Sequence, residues 1–344
     1  MANNNILNNA KYNSENTDEW YTTYDTVHEE LSHYKKHFKN KVVLCNCDDP
    51  FESAFSKYFL KMFNVLQLKK LICTSYESSK YVGTELNIKD DKNKKLNKRN
   101  AYVLEVDHID GEPGSEIDDD AIKELLLHGK VVKRLNGNGD FSSSECVKYL
   151  EESDIVCTNP PFSKFEELFV LIMKNKKKFL LIGNQNAITY KEIFPYIKNN
   201  KVWIGYRFGE MKFKVPSDTK PRNTRYWQDK SGQKWRSLGN AMWLTNLDIK
   251  KRHLNLELKE KYNPETYKKY DNYDAINVKK VSEIPNDYDG IMGVPITFLK
   301  YHNKAQFEII GEANHGSDNK YDLFKPIIDG KEMFKKILIR RKQS

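Results

Sequence analysis

Along the first two-thirds of the chain, apolar positions fall into two alternating rhythms. Continuous apolar runs at 41–46, 70–74, 153–158 and 179–183 predict buried strands. Between them apolar residues recur at helical spacing. Phe51, Ala54, Phe55, Tyr58, Phe59, Met62 and Phe63 follow the first run, and Phe165, Leu168, Phe169, Ile172 and Met173 follow the third. Strands alternating with helices imply parallel pairing with both sheet faces covered. The expected fold is therefore α/β: an open, doubly wound mixed sheet of about seven strands flanked by helices. In such sheets ligands collect outside the carboxyl ends of the strands. Two polar turns lie at such ends, just after Asn46 and just after Thr158.

From 75 to 137 the pattern is irregular and charged. A strand is expected over 101–106, with a helix from Asp118 to His128 that stops at Gly129. The run Asp118-Asp119-Asp120 lacks the ligand spacing and central glycine of a calcium loop and reads as a helix N-terminus. From Lys201 the texture changes. Residues 201–252 hold 13 Lys or Arg against 4 Asp or Glu, a surplus equal to the +9 of the whole chain, with eight aromatics interleaved. The expected division is a sheet-forming region at 1–200, with a charged insertion at about 80–135, followed by a smaller basic module at 201–344. Within the latter, 241–300 is expected to return to that sheet.

Composition narrows the classes. With 39% hydrophobic residues in 344 the chain can bury a core, and its positive charge calls for an anionic partner. The Asn-rich start has no apolar stretch of a signal peptide, and no run reaches bilayer length. Five cysteines without a CxxC pair favour buried thiols over a metal site. A soluble cytoplasmic protein, monomeric and without metal, is the expectation.

Chemistry concentrates in four places. Asn159-Pro160-Pro161-Phe162 closes a buried strand. The 6-amino nitrogen of adenine is a poor nucleophile because its lone pair is delocalised into the ring. The Asn159 side-chain oxygen and the Pro160 carbonyl can accept its two N–H groups and favour a tetrahedral nitrogen. Pro160 and Pro161 hold that carbonyl rigidly, and Phe162 offers a stacking face. The plainer alternative is an Asn-Pro turn. Asn46, Asp48, Asp49 and Pro50 follow the first strand, where a doubly wound fold places its cofactor; carboxylates there can bind an ammonium or simply cap a helix. Asp140 and Phe141 follow a glycine-rich turn, suited to an adenine ring or to nothing more than a turn. Trp20 and Tyr21 can close over a cofactor or dock the terminus. The same turn chemistry would serve a methyltransferase of RNA or of protein glutamine, and a catalytically silent DNA-binding module could keep the fold. The basic-aromatic stretch is suited to phosphates and unstacked bases through Arg207, Lys212, Lys214, Arg222, Arg225, Trp227, Lys234, Trp235 and Arg236.

Taken together these segments resemble the EcoRI-type adenine-specific DNA methyltransferase family over nearly the full length. The likeness is carried by DEWYT at 18–22, KVVLCNCDDP at 41–50, GNGDFSSSE at 137–145 and SDIVCTNPPF at 153–162. It continues through AITYKEIF at 187–194, WLTNLD at 243–248, YDNYDAINV at 270–278 and MGVPITFL at 292–299. The resemblance implies a class I, Rossmann-like methyltransferase fold with S-adenosyl-L-methionine (AdoMet) as donor. It also implies duplex DNA as substrate, base flipping and a role in restriction–modification, where a cognate endonuclease need not form a stable complex. By the same likeness, Asn159, Pro160 and Phe162 become the adenine pocket. Asp48 and Asp49 become contacts to the methionine end of AdoMet, Asp140 and Phe141 contacts to its adenine, and Trp20 and Tyr21 a cover. A GAATTC target is suggested. The stretch 205–240 keeps only a loose frame and is where target recognition is expected.

Overall fold

In this computed structural model, residues 21–76, 101–129, 131–215, 217–313 and 325–342 are described. The apolar runs expected as buried strands pair as neighbours in one mixed sheet. Its strands are β1 (Tyr21–Thr22), β2 (Val42–Asn46), β3 (Lys70–Thr74), β4 (Tyr102–Val106) and β5 (Val132–Arg134). They continue with β6 (Ile155–Thr158), β7 (Lys178–Asn184), β8 (Trp203–Lys214), β9 (Tyr226–Gln228) and β10 (Lys234–Thr245). The order is β5–β4–β3–β2–β6–β7–β10–β8–β1, with β9 on β10. The sheet is thus larger than the seven strands expected; β1, β9 and the 12-residue strands β8 and β10 extend it.

At the centre β3, β2, β6 and β7 run parallel. All five residues of β2 and all four of β6 are buried, as strands covered on both faces must be. Parallel register brings the carboxyl ends of β2 and β3 together, with Asn46 beside Thr74. On the other side of β3, β4 and then β5 pair antiparallel.

The flanking helices start where capping chemistry allows. The Ser53 hydroxyl accepts the N–H groups of Phe55 and Ser56 at the head of helix Ala54–Lys61. Asp118 accepts the N–H of Ala121 at 2.7 Å, and that helix ends at Gly129. Helix Phe165–Lys174, directly after the Asn159 turn, buries Phe165, Leu168, Phe169 and Ile172 against the core.

The chain divides into two compact units. One comprises the described residues within Met1–Asn184 and Gly209–Trp243, the other those within Gln185–Phe208 and Leu244–Ser344. The second carries a four-stranded sheet ordered β11 (Ile276–Asn277), β12 (Met292–Val294), β16 (Lys336–Arg341), β13 (Phe307–Ala313), with a small hairpin of β14 (Ile327–Ile328) and β15 (Lys331–Glu332). Two of the long sequence strings meet here. The Tyr270 hydroxyl donates to Asn277 Oδ1 at 3.0 Å, and a Cβ on Gly293 would stand 2.3 Å from that hydroxyl. Only glycine lets the ring lie across the strand. Among the described residues no helix is long and apolar enough to cross a membrane, and no group of three or more His, Cys, Asp or Glu is placed to hold a metal.

Candidate active site at the strand ends

The two polar turns after β2 and β6 are adjacent because their strands are parallel neighbours. Asp48 ties them together. Its Oδ1 accepts from the Ser53 hydroxyl at 2.6 Å, its Oδ2 meets the Thr158 hydroxyl, and the backbone N–H of Asn159 also donates to it. The Thr158 hydroxyl in turn reaches the carbonyl of Asn46. Asp48 is 5% exposed, and burial pushes its pKa up to about 7 despite those three bonds, with Asp49 adding to the rise. Asn159 and Phe162 are half-buried and Pro160 is buried.

Asp49 faces differently. Its Oδ1 accepts from the N–H groups of Phe51 and Glu52, and its Oδ2 takes the Tyr102 hydroxyl at 2.7 Å. Pro50 is buried, and its carbonyl accepts the Ser56 hydroxyl. Cys47 sits between β2 and this turn with φ +82°, a left-handed conformation that costs a non-glycine residue energy and signals a chain held in place by its surroundings. Burial, then Asp48 and Asp140, push its thiol pKa well up.

The glycine-rich turn joins the same edge. Gly139 has φ +79°, and a Cβ there would lie 2.0 Å from the backbone oxygen of Ser75, so the turn seats directly on the residue after β3. Asp140 Oδ1 accepts from the N–H and hydroxyl of Ser142, and Phe141 is buried. Asp140 is near enough to both other turns to act on Cys47 and, after the stronger bond to Glu167, on Lys164. Three of the four sequence motifs therefore converge at the carboxyl ends of β3, β2 and β6.

Whether an AdoMet molecule fits can be tested on the polar atoms left there. Asn46 Oδ1 and Thr74 Oγ1, on register partners at the strand ends, are buried and find no hydrogen-bond partner among the described residues. Such atoms cost roughly 1–3 kcal/mol each unless something meets them. A polar ligand at this edge would supply partners, and the nearby carboxylates Asp49 and Asp140 suit its amino groups. The donor and acceptor set fits the cofactor.

Of the N-terminal pair, Trp20 lies outside the described residues. Tyr21 opens β1 opposite Lys214, and Thr22 is opposite Phe213. Phe213 is fully buried, and its ring meets Phe162 edge-to-face at 6.3 Å and 90°. Strand alternation puts Lys212 and Lys214 on the opposite face of β8. There they stand over Trp227 at 6.0 Å and Trp235 at 5.7 Å, and those two indoles stack on each other at 6.1 Å and 5°. Trp227 and Trp235 are Cα partners in the β9–β10 pairing.

The other basic residues have varied surroundings. Lys234 is committed to the carbonyls of Ser217 and Thr219, where it closes a loop. Arg225, at φ +55°, lays its guanidinium over Gly239, where any Cβ would collide with it. Arg236 is 6% exposed, and burial, then the charge of Arg222, lower its pKa to about 10. Arg222 is exposed, as is Arg207, which sits on the stretch of β8 belonging to the second unit.

Sequence reasoning missed Ser53, Thr158, Tyr102 and Phe213. The first two carried a weak signal as small polar residues flanking the motifs. Phe213 carried another, as the apolar centre of a Lys-Phe-Lys alternation. Tyr102 lies 53 positions from Asp49, and no local pattern joins them.

The chain matches the family described as Adenine-specific methyltransferase EcoRI over residues 6–342. It is 43% identical to the Type II methyltransferase M.EcoRI of Escherichia coli, over 99% of this chain and 98% of that protein. It is 37% identical to the Type II methyltransferase M.MpnI of Mycoplasma pneumoniae, over 88% of this chain and 84% of that protein. No solved structure gives a significant match.

Proposed function

Because this chain belongs to the EcoRI family of adenine-specific methyltransferases, we propose that it methylates the 6-amino nitrogen of an adenine flipped out of duplex DNA, as the modification partner of a restriction system. The observation that carries this reading is the convergence of the Asn159 turn with the Asp48-Asp49 and Gly139-Asp140 turns at one edge of the parallel strands. The core from β3 to β7 with its helices is then a class I methyltransferase fold.

AdoMet, when bound, supplies a methyl on a sulfonium that leaves as a neutral thioether. Asn46, Asp48, Asp49 and Pro50 would hold its methionine end, Asp140 and Phe141 its adenine, and Trp20 and Tyr21 would close over it. The remaining work belongs to the pocket. The Asn159 side-chain oxygen and the Pro160 carbonyl accept the two N–H groups of the target amine and draw its lone pair out of conjugation. Pro161 keeps the turn extended, at φ −51° and ψ 131°. Phe162, propped by Phe213, stacks on the flipped base at about 1–3 kcal/mol. Transfer is a direct in-line displacement, with no covalent enzyme intermediate and no metal step.

The basic-aromatic strands hold the duplex. Arg207, Lys212, Lys214, Arg222, Arg225, Lys234 and Arg236 supply positive potential, and Trp227 with Trp235 a stacking platform. Residues 201–344 are then chiefly concerned with DNA and 1–200 with AdoMet and catalysis. GAATTC is the proposed target, and a monomer in the cytoplasm the proposed working form. Purified protein offered labelled AdoMet with duplex DNA, RNA and protein tests the substrate class. Label is expected in DNA alone, as N6-methyladenine; label confined to RNA or protein refutes the reading.

A further inference from the structure

The Thr158 hydroxyl lies within hydrogen-bonding reach of two oxygens, the carbonyl of Asn46 and Oδ2 of Asp48. A hydroxyl carries one proton. A carbonyl oxygen has none to offer, so if Asp48 were ionised, two acceptors would compete for the single Thr158 proton and one contact would be left without a hydrogen. The Ser53 hydroxyl cannot relieve this. Its oxygen accepts the N–H groups of Phe55 and Ser56, and its own proton goes to Asp48 Oδ1. All contacts become bonds at once only if Oδ2 carries a proton. Oδ1 is then the carbonyl oxygen, accepting from Ser53, while Oδ2–H donates to Thr158 and Thr158 donates to Asn46.

We propose that Asp48 stands as a neutral carboxylic acid in a proton chain from Asp48 through Thr158 to the Asn46 carbonyl, and that in this form it is a positioning residue for the Asn159 turn. The assignment rests on the reading of Asn159 as the residue that grips the target amine. The bond from the Asn159 backbone N–H to the Asp48 carboxyl transmits the position, since it fixes the residue whose side chain does the gripping. The neighbourhood agrees with a proton held there. Burial raises the Asp48 pKa to about 7, and the charged and titratable groups facing it are Asp49 and the thiols of Cys45, Cys47 and Cys157. The carboxylate of Asp49 beside it disfavours a second negative charge, and the neutral buried thiols supply no positive charge to offset one. When the proton leaves to solvent at higher pH, Thr158 can serve only one of its two acceptors. The joint between the β2 and β6 turns then loosens.

The assignment differs in a testable way from a direct contact between an ionised Asp48 and the methionine ammonium. Asp48→Asn mimics the neutral acid: its amide N–H donates to Thr158 and its oxygen accepts from Ser53. In the full-length protein, Asp48→Asn is expected to lose less AdoMet affinity and less kcat than Asp48→Ala, because the amide restores the bonds to Ser53 and Thr158 that the alanine cannot make. It is also expected to abolish a fall in kcat that the unsubstituted protein shows as pH rises through neutrality. A loss of AdoMet affinity of about tenfold or more in a folded Asp48→Asn protein overturns the assignment, because that is the effect of removing an ionic partner. So does an unchanged pH profile. Should the variant fail to fold, the unsubstituted protein still decides. With carbon-13-labelled aspartate, one buried carboxyl must titrate near neutral pH and show the infrared carbonyl band of a protonated acid below that pH, and its absence overturns the assignment. Failure to methylate adenine at all, with that titration present, would instead count against the proposed function and leave the proton chain standing.

Discussion

Single side chains decide how the site responds to pH. Asp48 has a folded pKa raised from 3.8 to about 7. The folded state therefore binds a proton more tightly than the unfolded chain between those values. Its contribution to stability is full below about pH 4, is lost as pH rises through 7, and is flat above that. Asp48→Asn removes the titration. Urea melts at mildly acidic and mildly alkaline pH are expected to show the variant gaining on the unsubstituted protein as pH rises, by on the order of 3 kcal/mol across that window. A stability difference independent of pH contradicts the buried-acid description. Gly139 makes a second residue-scale prediction. Its φ of +79° and the 2.0 Å approach to Ser75 leave no room for a methyl group, so Gly139→Ala is expected to lower stability by roughly 2 kcal/mol and weaken AdoMet binding, both measurable on the purified protein. The sequence made Asn159 and the Asp48-Asp49 pair stand out by their position after buried strands. It could not separate the two aspartates, since their difference lies in contacts to Ser53, Thr158 and Tyr102 made through the fold.

At the scale of elements, β8 presents different side chains on its two faces, and under the proposed function that alternation joins recognition to catalysis. Phe213 on one face meets Phe162 of the Asn159 turn, and Lys212 and Lys214 on the other stand over the paired indoles. Phe213→Leu keeps the core filled but removes the edge-to-face support. It is expected to lower kcat several-fold while AdoMet affinity stays unchanged, as read by steady-state kinetics alongside equilibrium binding. Trp227→Ala removes the outer indole of the stack and is expected to weaken duplex binding by about 1–3 kcal/mol, with little effect on melting temperature since that ring is partly exposed. The central strands were readable because burial on both faces writes an unbroken apolar run; β2, β3, β6 and β7 fall within a residue or two of the expected positions. The basic stretch from Lys201 was less readable. Its charges and aromatics gave no sign that it supplies β8, β9 and β10 of the large sheet. A strand exposed on one face and studded with lysines has the local texture of a loop, and the pairing that makes it a strand is invisible in sequence.

For the whole molecule, charge and fold point to one activity. The positive surplus of the chain is concentrated in 201–252, so most of its affinity for duplex is expected to come from phosphate contacts and to fall steeply with salt. Replacing Lys212 and Lys214 together by Ala should flatten the slope of log affinity against log salt by roughly two units. The family likeness was readable from strings spread along the entire chain, including those at 270–278 and 292–299. The packing of those strings around Tyr270, Asn277 and Gly293 appears only in the folded second unit. The central claim is that the Asn159 turn methylates adenine in a defined duplex sequence. Its most direct test is methylation-sensitive sequencing of DNA from cells producing either the unsubstituted protein or Asn159→Ala. The account predicts N6-methyladenine at a single recurring sequence, GAATTC, with the first protein and none with the second. Modification of another base, or undiminished adenine methylation by the Asn159→Ala protein, would contradict it.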